Sequence, residues 1–173
     1  ILPQFITDPC PPWAMLAFTF TNKAASEMKS RVAKLLNTST EGTISTFHSF
    51  FFRELNMMAD MIGFEYPISI IDSEDELKII REIIKENDLN LLDSETLKYI
   101  SNIKNHITNK FKNTKEQEDT FIVFHKLHKK LMEYNRMDFD DILYYFYELL
   151  KKNEYYLRSM QEYFQYILID EGQ

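Results

Sequence analysis

From Trp13 to Phe20 (WAMLAFTF) the chain is mostly apolar, and Thr21-Asn22 follow at once. A short apolar run ending in residues that cap helices predicts a buried strand feeding a helix. Lys23 to Leu36 then sets Ala25, Met28, Val32, Leu35 and Leu36 on one helical face. Gly42 to Thr46 is a second β-rich run and leads into a helix expected over Phe47 to Met58. Pro67 to Ile71 is a third short β-like run. Strand alternates with helix through residue 72, which is the pattern of a parallel α/β sheet.

The pattern changes at Ser73. Ser73-x-x-Glu76 reads as a capping box, with Leu77, Ile80 and Ile84 following at helical spacing. Ser94 opens another helix, and Thr114-x-x-Gln117 opens a long one through Tyr134. No β-rich run stands between Ser73 and Arg136, so residues 73–136 read as an all-helical block between two α/β pieces, 1–72 and 137–173. In the last piece Phe139, Ile142, Leu143, Phe146, Leu149 and Leu150 form a helical stripe. The chain closes on Tyr166-Ile167-Leu168-Ile169-Asp170-Glu171-Gly172-Gln173, an apolar strand that delivers two carboxylates at its C-terminal end.

Composition narrows the chemistry. The 173 residues hold only three glycines, Gly42, Gly63 and Gly172, none near another. A phosphate-cradling loop needs closely spaced glycines so that backbone amides can approach the ligand, and this excludes one. The single cysteine, Cys10, leaves no internal disulfide and no CxxC site, which suits a reduced, cytoplasmic protein. No apolar run approaches the ~18 residues of a membrane span. The first residues, Ile1-Leu2-Pro3-Gln4-Phe5, carry neither an initiator Met nor a basic leader and read as the start of a piece of something longer. The net charge of −7 argues against a nucleic-acid coat protein, yet leaves room for a local basic surface. From Lys98 to Lys115 there are five lysines (98, 104, 110, 112 and 115), His106 and no acid. A solvated helix face is the ordinary reading of such a run, and contact with a phosphate backbone the functional one.

Three strand ends carry candidate chemistry. An apolar strand ending in Asp170-Glu171 can hold an acid against Mg²⁺ and a second acid against a water, although ordinary strands also end this way. Thr19 to Ala25 places hydroxyls, an amide and free backbone N–H groups at a strand-to-helix turn, which suits phosphate. Phe20 would stack on a base if exposed; taken alone it reads as core. Thr46-Phe47-His48-Ser49 repeats the arrangement at the next strand end. His48 has no partner at ligand spacing, so no histidine metal site is expected.

The order AFTFTNKAASEMKSRV, GTISTFHSFFFREL, a helical stretch, MDFDDIL and FQYILIDEGQ resembles the UvrD/Rep/PcrA family of superfamily 1 DNA helicases, from Trp13 to Gln173. The resemblance implies an α/β fold with an incomplete RecA-like parallel sheet, the P-loop strand absent, and an all-helical inserted subdomain. It implies that Asp170 coordinates Mg²⁺, Glu171 activates water for ATP hydrolysis and Gln173 lies near the γ-phosphate. It implies that Phe20, Thr21 and Asn22 contact single-stranded DNA, with the aromatic ring stacking on it. Thr46, Phe47, His48 and Ser49 would bind its backbone, and Lys104 and Lys110 would lie in the insertion placed against duplex DNA.

Two departures stand out. Gly172 replaces the aromatic residue usual between the motif II Glu and Gln, and the P-loop with its lysine is missing. The parent is therefore expected to be an ATP-driven helicase working 3′-to-5′, with this chain inactive as an ATPase. A non-catalytic DNA-binding or interaction module derived from a helicase is the alternative. In a RecA-like sheet the missing P-loop strand would flank Tyr166–Asp170. That flank is then open to fold-back of Ile1–Ile6, to a loop, or to self-association.

Overall fold

A computed structural model describes residues 10–37, 42–106 and 109–170. The chain is mixed α/β, mostly helical, and forms two compact units, residues 1–53 with 149–173 and residues 54–148.

The first unit is built on β1 (Met15–Thr19), β2 (Thr43–Thr46) and β5 (Tyr166–Ile169), in the order β2-β1-β5 with both pairings parallel. α1 (Asn22–Leu36) follows β1 and lays Ala25, Met28 and Val32 on Ala17, Ile44 and Leu168. The apolar face ends there: Leu35 and Leu36, expected on it, occupy the last turn and are exposed. α2 (Phe47–Met57) begins directly after β2. Its Phe47, Phe50 and Phe51 gather around Phe18 of β1, with ring centroids 4.3, 5.5 and 5.8 Å away. Edge-to-face and offset contacts of this kind add to plain area burial. α7 (Glu154–Tyr163) leads into β5, and Gln165 N–H donates to the Ala14 carbonyl at 2.9 Å, setting the register of that edge.

The second unit packs α3 (Ser73–Glu86), α4 (Asp93–Lys104) and α5 (Thr114–Glu133) around Ile71, Ile80, Ile83, Ile100, Val123, Leu127 and Leu131. β3 (Ser69–Ile70) and β4 (Arg136–Met137) pair in parallel beside them. α6 (Phe139–Lys152) follows β4 and, within this unit, buries Ile142 and Phe146, while Phe139 at its first position is exposed. Asn135, in the left-handed conformation at φ 54°, holds the β3 approach. Its side chain accepts from Glu65 N–H at 2.8 Å and donates to the Glu65 and Pro67 carbonyls.

These units divide the chain elsewhere than at 73 and 136. The β3–β4 ladder ties residues 69–70 to 136–137, so β3 belongs to the helical unit and not to the sheet of β1, β2 and β5. The caps also shift by one residue. Asp72, not Ser73, caps α3 by accepting from Glu74 and Asp75 N–H, and Asn113, not Thr114, caps α5. Glu76 closes no capping box; its side chain is buried at the same helical phase as Ile80 and Ile83. The suggested fold-back of Ile1–Ile6 lies outside the described residues. Among the described residues no helix is long and apolar enough to cross a membrane.

Candidate nucleic-acid interface

The parallel register brings the C-terminal ends of the three strands into line. Thr19 of β1 pairs with Thr46 of β2, Phe18 pairs with Ile169 of β5, and Asp170 N–H donates to the Phe18 carbonyl at 2.9 Å. In open parallel sheets ligands bind outside this end of the strands.

Each of the first two strand ends turns directly into a helix. Thr21 caps α1, accepting from Ala24 N–H at 3.1 Å, while the buried Thr19 hydroxyl donates to the Thr21 carbonyl at 3.0 Å. Thr46 plays the same part for α2, its hydroxyl accepting from Ser49 N–H at 3.2 Å. The two turns are then joined: Thr46 donates to the Ser49 hydroxyl at 2.8 Å, and Ser49 donates to the Asn22 side-chain oxygen at 3.4 Å. This chain fixes two helix N-termini side by side. The partial positive charge at the N-terminus of a helix favours an anionic ligand such as phosphate.

Phe20 is not core. It follows the last residue of β1 and is 73% exposed, so its ring faces solvent at this rim. Phe47 is different, because its ring stacks on Phe18 at an interplanar angle of 19° and builds the rim from beneath. His48 is half-buried on the first turn of α2. Asp170 is exposed just beyond β5, whereas Glu171 and Gln173 lie outside the described residues.

Asp170 presents one exposed carboxylate at this rim. Among the described residues no group of three His, Cys, Asp or Glu could hold a metal ion, and no glycine-rich turn could cradle phosphates. The described residues therefore supply only one of the carboxylates that a Mg-ATP site would need.

The lysine run divides by environment. Lys98, Lys110 and Lys115 are exposed; Lys112 is exposed too, and pairs with Glu95 at 3.1 Å and Glu116 at 3.8 Å. Lys104 is withdrawn from any DNA role: it is 5% exposed and its ammonium is bound by Asp138 and, at 2.9 Å, by Asp141. Burial pulls the ammonium towards neutrality, but Asp141 and Asp138 outweigh it and hold its pKa above the ordinary lysine range. Burial pushes the Asp141 carboxyl up to about 6, against the pull of Lys104. Asp138 is also opposed by burial, yet Lys104 and a hydrogen bond from Glu76 hold it below the ordinary carboxylate range.

The acids of this cluster stand far apart in the chain, Glu76 on α3 and Asp138 and Asp141 in MDFDDIL, so no local spacing joins them. A signal was still present: Glu76 shares a helical phase with Ile80 and Ile83, and Asp138 and Asp141 flank buried Met137 and Ile142.

The comparisons with known proteins agree with the family resemblance. The family model for the UvrD/REP helicase N-terminal domain matches residues 4–173. A probable DNA helicase II homolog of Mycoplasma capricolum is 37% identical over 175 residues, covering 94% of this chain and 24% of that protein. The ATP-dependent DNA helicase PcrA of Bacillus subtilis is 37% identical over 171 residues, covering 94% of this chain and 23% of its own length. PcrA of Staphylococcus aureus is 36% identical with the same coverage. The chain thus spans about a quarter of the length of these curated relatives. With the family model matching nearly end to end, the chain belongs to the UvrD/REP helicase N-terminal domain family.

Proposed function

We propose that the chain is the single-stranded-DNA-binding part of an ATP-dependent DNA helicase motor. The hydrogen-bonded junction from Thr46 through Ser49 to Asn22, with Phe20 exposed beside it, carries this reading. The helix N-termini and their hydroxyls take backbone phosphates, and the Phe20 ring stacks on a base. Thr21, Asn22, Thr46, His48 and Ser49 line the strand's path, and Lys110 is a contact for duplex DNA.

In the whole protein Asp170, Glu171 and Gln173 belong to the ATP site, which a P-loop strand outside this chain completes. The first unit is then an incomplete RecA-like domain, the second its helical insertion, and translocation runs 3′-to-5′. The relatives' printed names support the ATP-dependent helicase part of this reading. The absence of a glycine-rich loop from the sequence favours, for this chain in isolation, the second reading of a DNA-binding module without catalysis.

ATP hydrolysis by the full-length parent, with and without single-stranded DNA, tests the proposal. Stimulation by DNA in the parent and no turnover by the 173-residue chain are expected. A parent that binds DNA but never hydrolyses ATP overturns the motor reading.

A further inference from the structure

Within the 54–148 unit a cleft of about 330 Å³ opens beside the buried charge cluster. Glu76, Asp138 and Asp140 stand on its wall, with Leu97, Lys98 and Phe139. The charges behind that wall do not balance. Glu76, Asp138 and Asp141 are 5, 7 and 3% exposed, and the one buried ammonium among them is Lys104. A buried carboxylate without a counter-charge is costly, so the cluster must hold a proton or acquire a further cation. Glu76, one of the residues lining the cleft, shares a hydrogen bond with Asp138 and leaves its Oε1 buried with no hydrogen-bond partner.

We propose that this cleft binds an arginine side chain of a partner protein, its guanidinium against Glu76 and Asp140 and over the Phe139 ring, and its apolar stem along Leu97. A planar guanidinium bonds two carboxylates at once and stacks on an aromatic ring, and Phe139 is 58% exposed at the cleft. An ammonium matches neither feature as well. The proposal stands apart from the DNA reading, because it uses none of the strand-end residues.

Binding is linked to a proton. In the empty cleft, burial first and then the neighbouring Asp138 push the Glu76 carboxyl up to about 8. Lys98 and Lys104 of α4, His128 of α5, and Asp138, Asp140, Asp141 and Tyr145 of the β4–α6 segment are the titratable groups of its surroundings. Lys104 opposes the upward push on Glu76, and Asp141 adds to it. A guanidinium that requires ionised Glu76 therefore binds more tightly as pH rises towards that value.

The test is titration of the 173-residue chain with N-acetylarginine amide, followed by amide NMR shifts and calorimetry. Saturable shifts at Glu76, Ser101 and Asp140 are expected, with affinity rising roughly five- to tenfold from pH 6.5 to 7.5. Glu76→Gln should remove that pH dependence. Lys98→Gln, an exposed change that leaves the cluster intact, should tighten binding about two- to fivefold by removing a like charge. Overturning results are no saturation by about 100 mM at the higher pH, equal shifts with N-acetylnorleucine amide, or a pH-independent affinity in the wild type. Equal binding of N-acetyllysine amide overturns the choice of guanidinium.

Discussion

Replacing Lys104 by Met keeps the length and apolar stem of the side chain and deletes its charge. In the folded chain the Lys104, Asp138 and Asp141 side chains are 3, 10 and 4% exposed, so water cannot replace the lost ammonium. Removing one partner of a buried ion pair typically costs about 3–5 kcal/mol, and two acids lose their partner at this site. That is a large part of the roughly 5–15 kcal/mol that holds a domain folded. The cost depends on pH, with a sign the cluster fixes. Burial already raises the Asp141 carboxyl to about 6, and losing Lys104 raises it further above its unfolded value. A group with a raised folded pKa stabilises the native state below that pKa and loses the contribution as pH rises through it. The variant should therefore lie closer to wild type at pH 5 than at pH 8, the wild-type lysine being fully charged at both. Urea unfolding at the two pH values reads the difference, with an unchanged slope showing that the native state has kept its compactness. A loss under about 1 kcal/mol at both pH values, together with weaker DNA binding, would refute the reasoning and return Lys104 to the surface.

Three further outcomes follow from particular residues. Asp72→Ala should cost about 1 kcal/mol in a melting experiment and Ser73→Ala far less, because Asp72 accepts the two orphan N–H groups of α3. Mg-ATP should bind the 173-residue chain only in the millimolar range or weaker, a binding free energy of about 4 kcal/mol at most, and micromolar affinity by calorimetry would contradict it. Light scattering over a concentration series should show the mass rising with concentration through the exposed Ile167 and Ile169 of β5, and Ile167→Lys should suppress the rise.

Much of this fold was legible in the order of residues. Apolar runs at Met15–Thr19 and Tyr166–Ile169 became strands, and the 3.6-residue stripe of α6 became a buried face. Local pattern carries that information because each element declares its own period. What failed was long-range or needed geometry. Lys104 sits in a run of lysines and reads as solvated, yet its partner Asp138 is 34 residues away in sequence. Asp72 and Ser73 are both good caps, and only the extended backbone at Asp72, φ −81° and ψ 159°, selects between them. The unit boundary missed β3 because its ladder partner, β4, is two residues long and carries no apolar run. The strand-end rim was legible as residue types; the bridge from Ser49 to Asn22, 27 positions apart, was not.

Phe20→Ala tests most directly whether the strand-end rim is a surface for single-stranded DNA. Phe20 is 73% exposed, so the substitution should leave the melting temperature unchanged. If the ring stacks on a base, affinity for a labelled oligo-dT, read by fluorescence anisotropy at low salt, should fall by about 1–3 kcal/mol, roughly five- to 150-fold. Wild-type affinity in a fully folded Phe20→Ala chain would contradict the account.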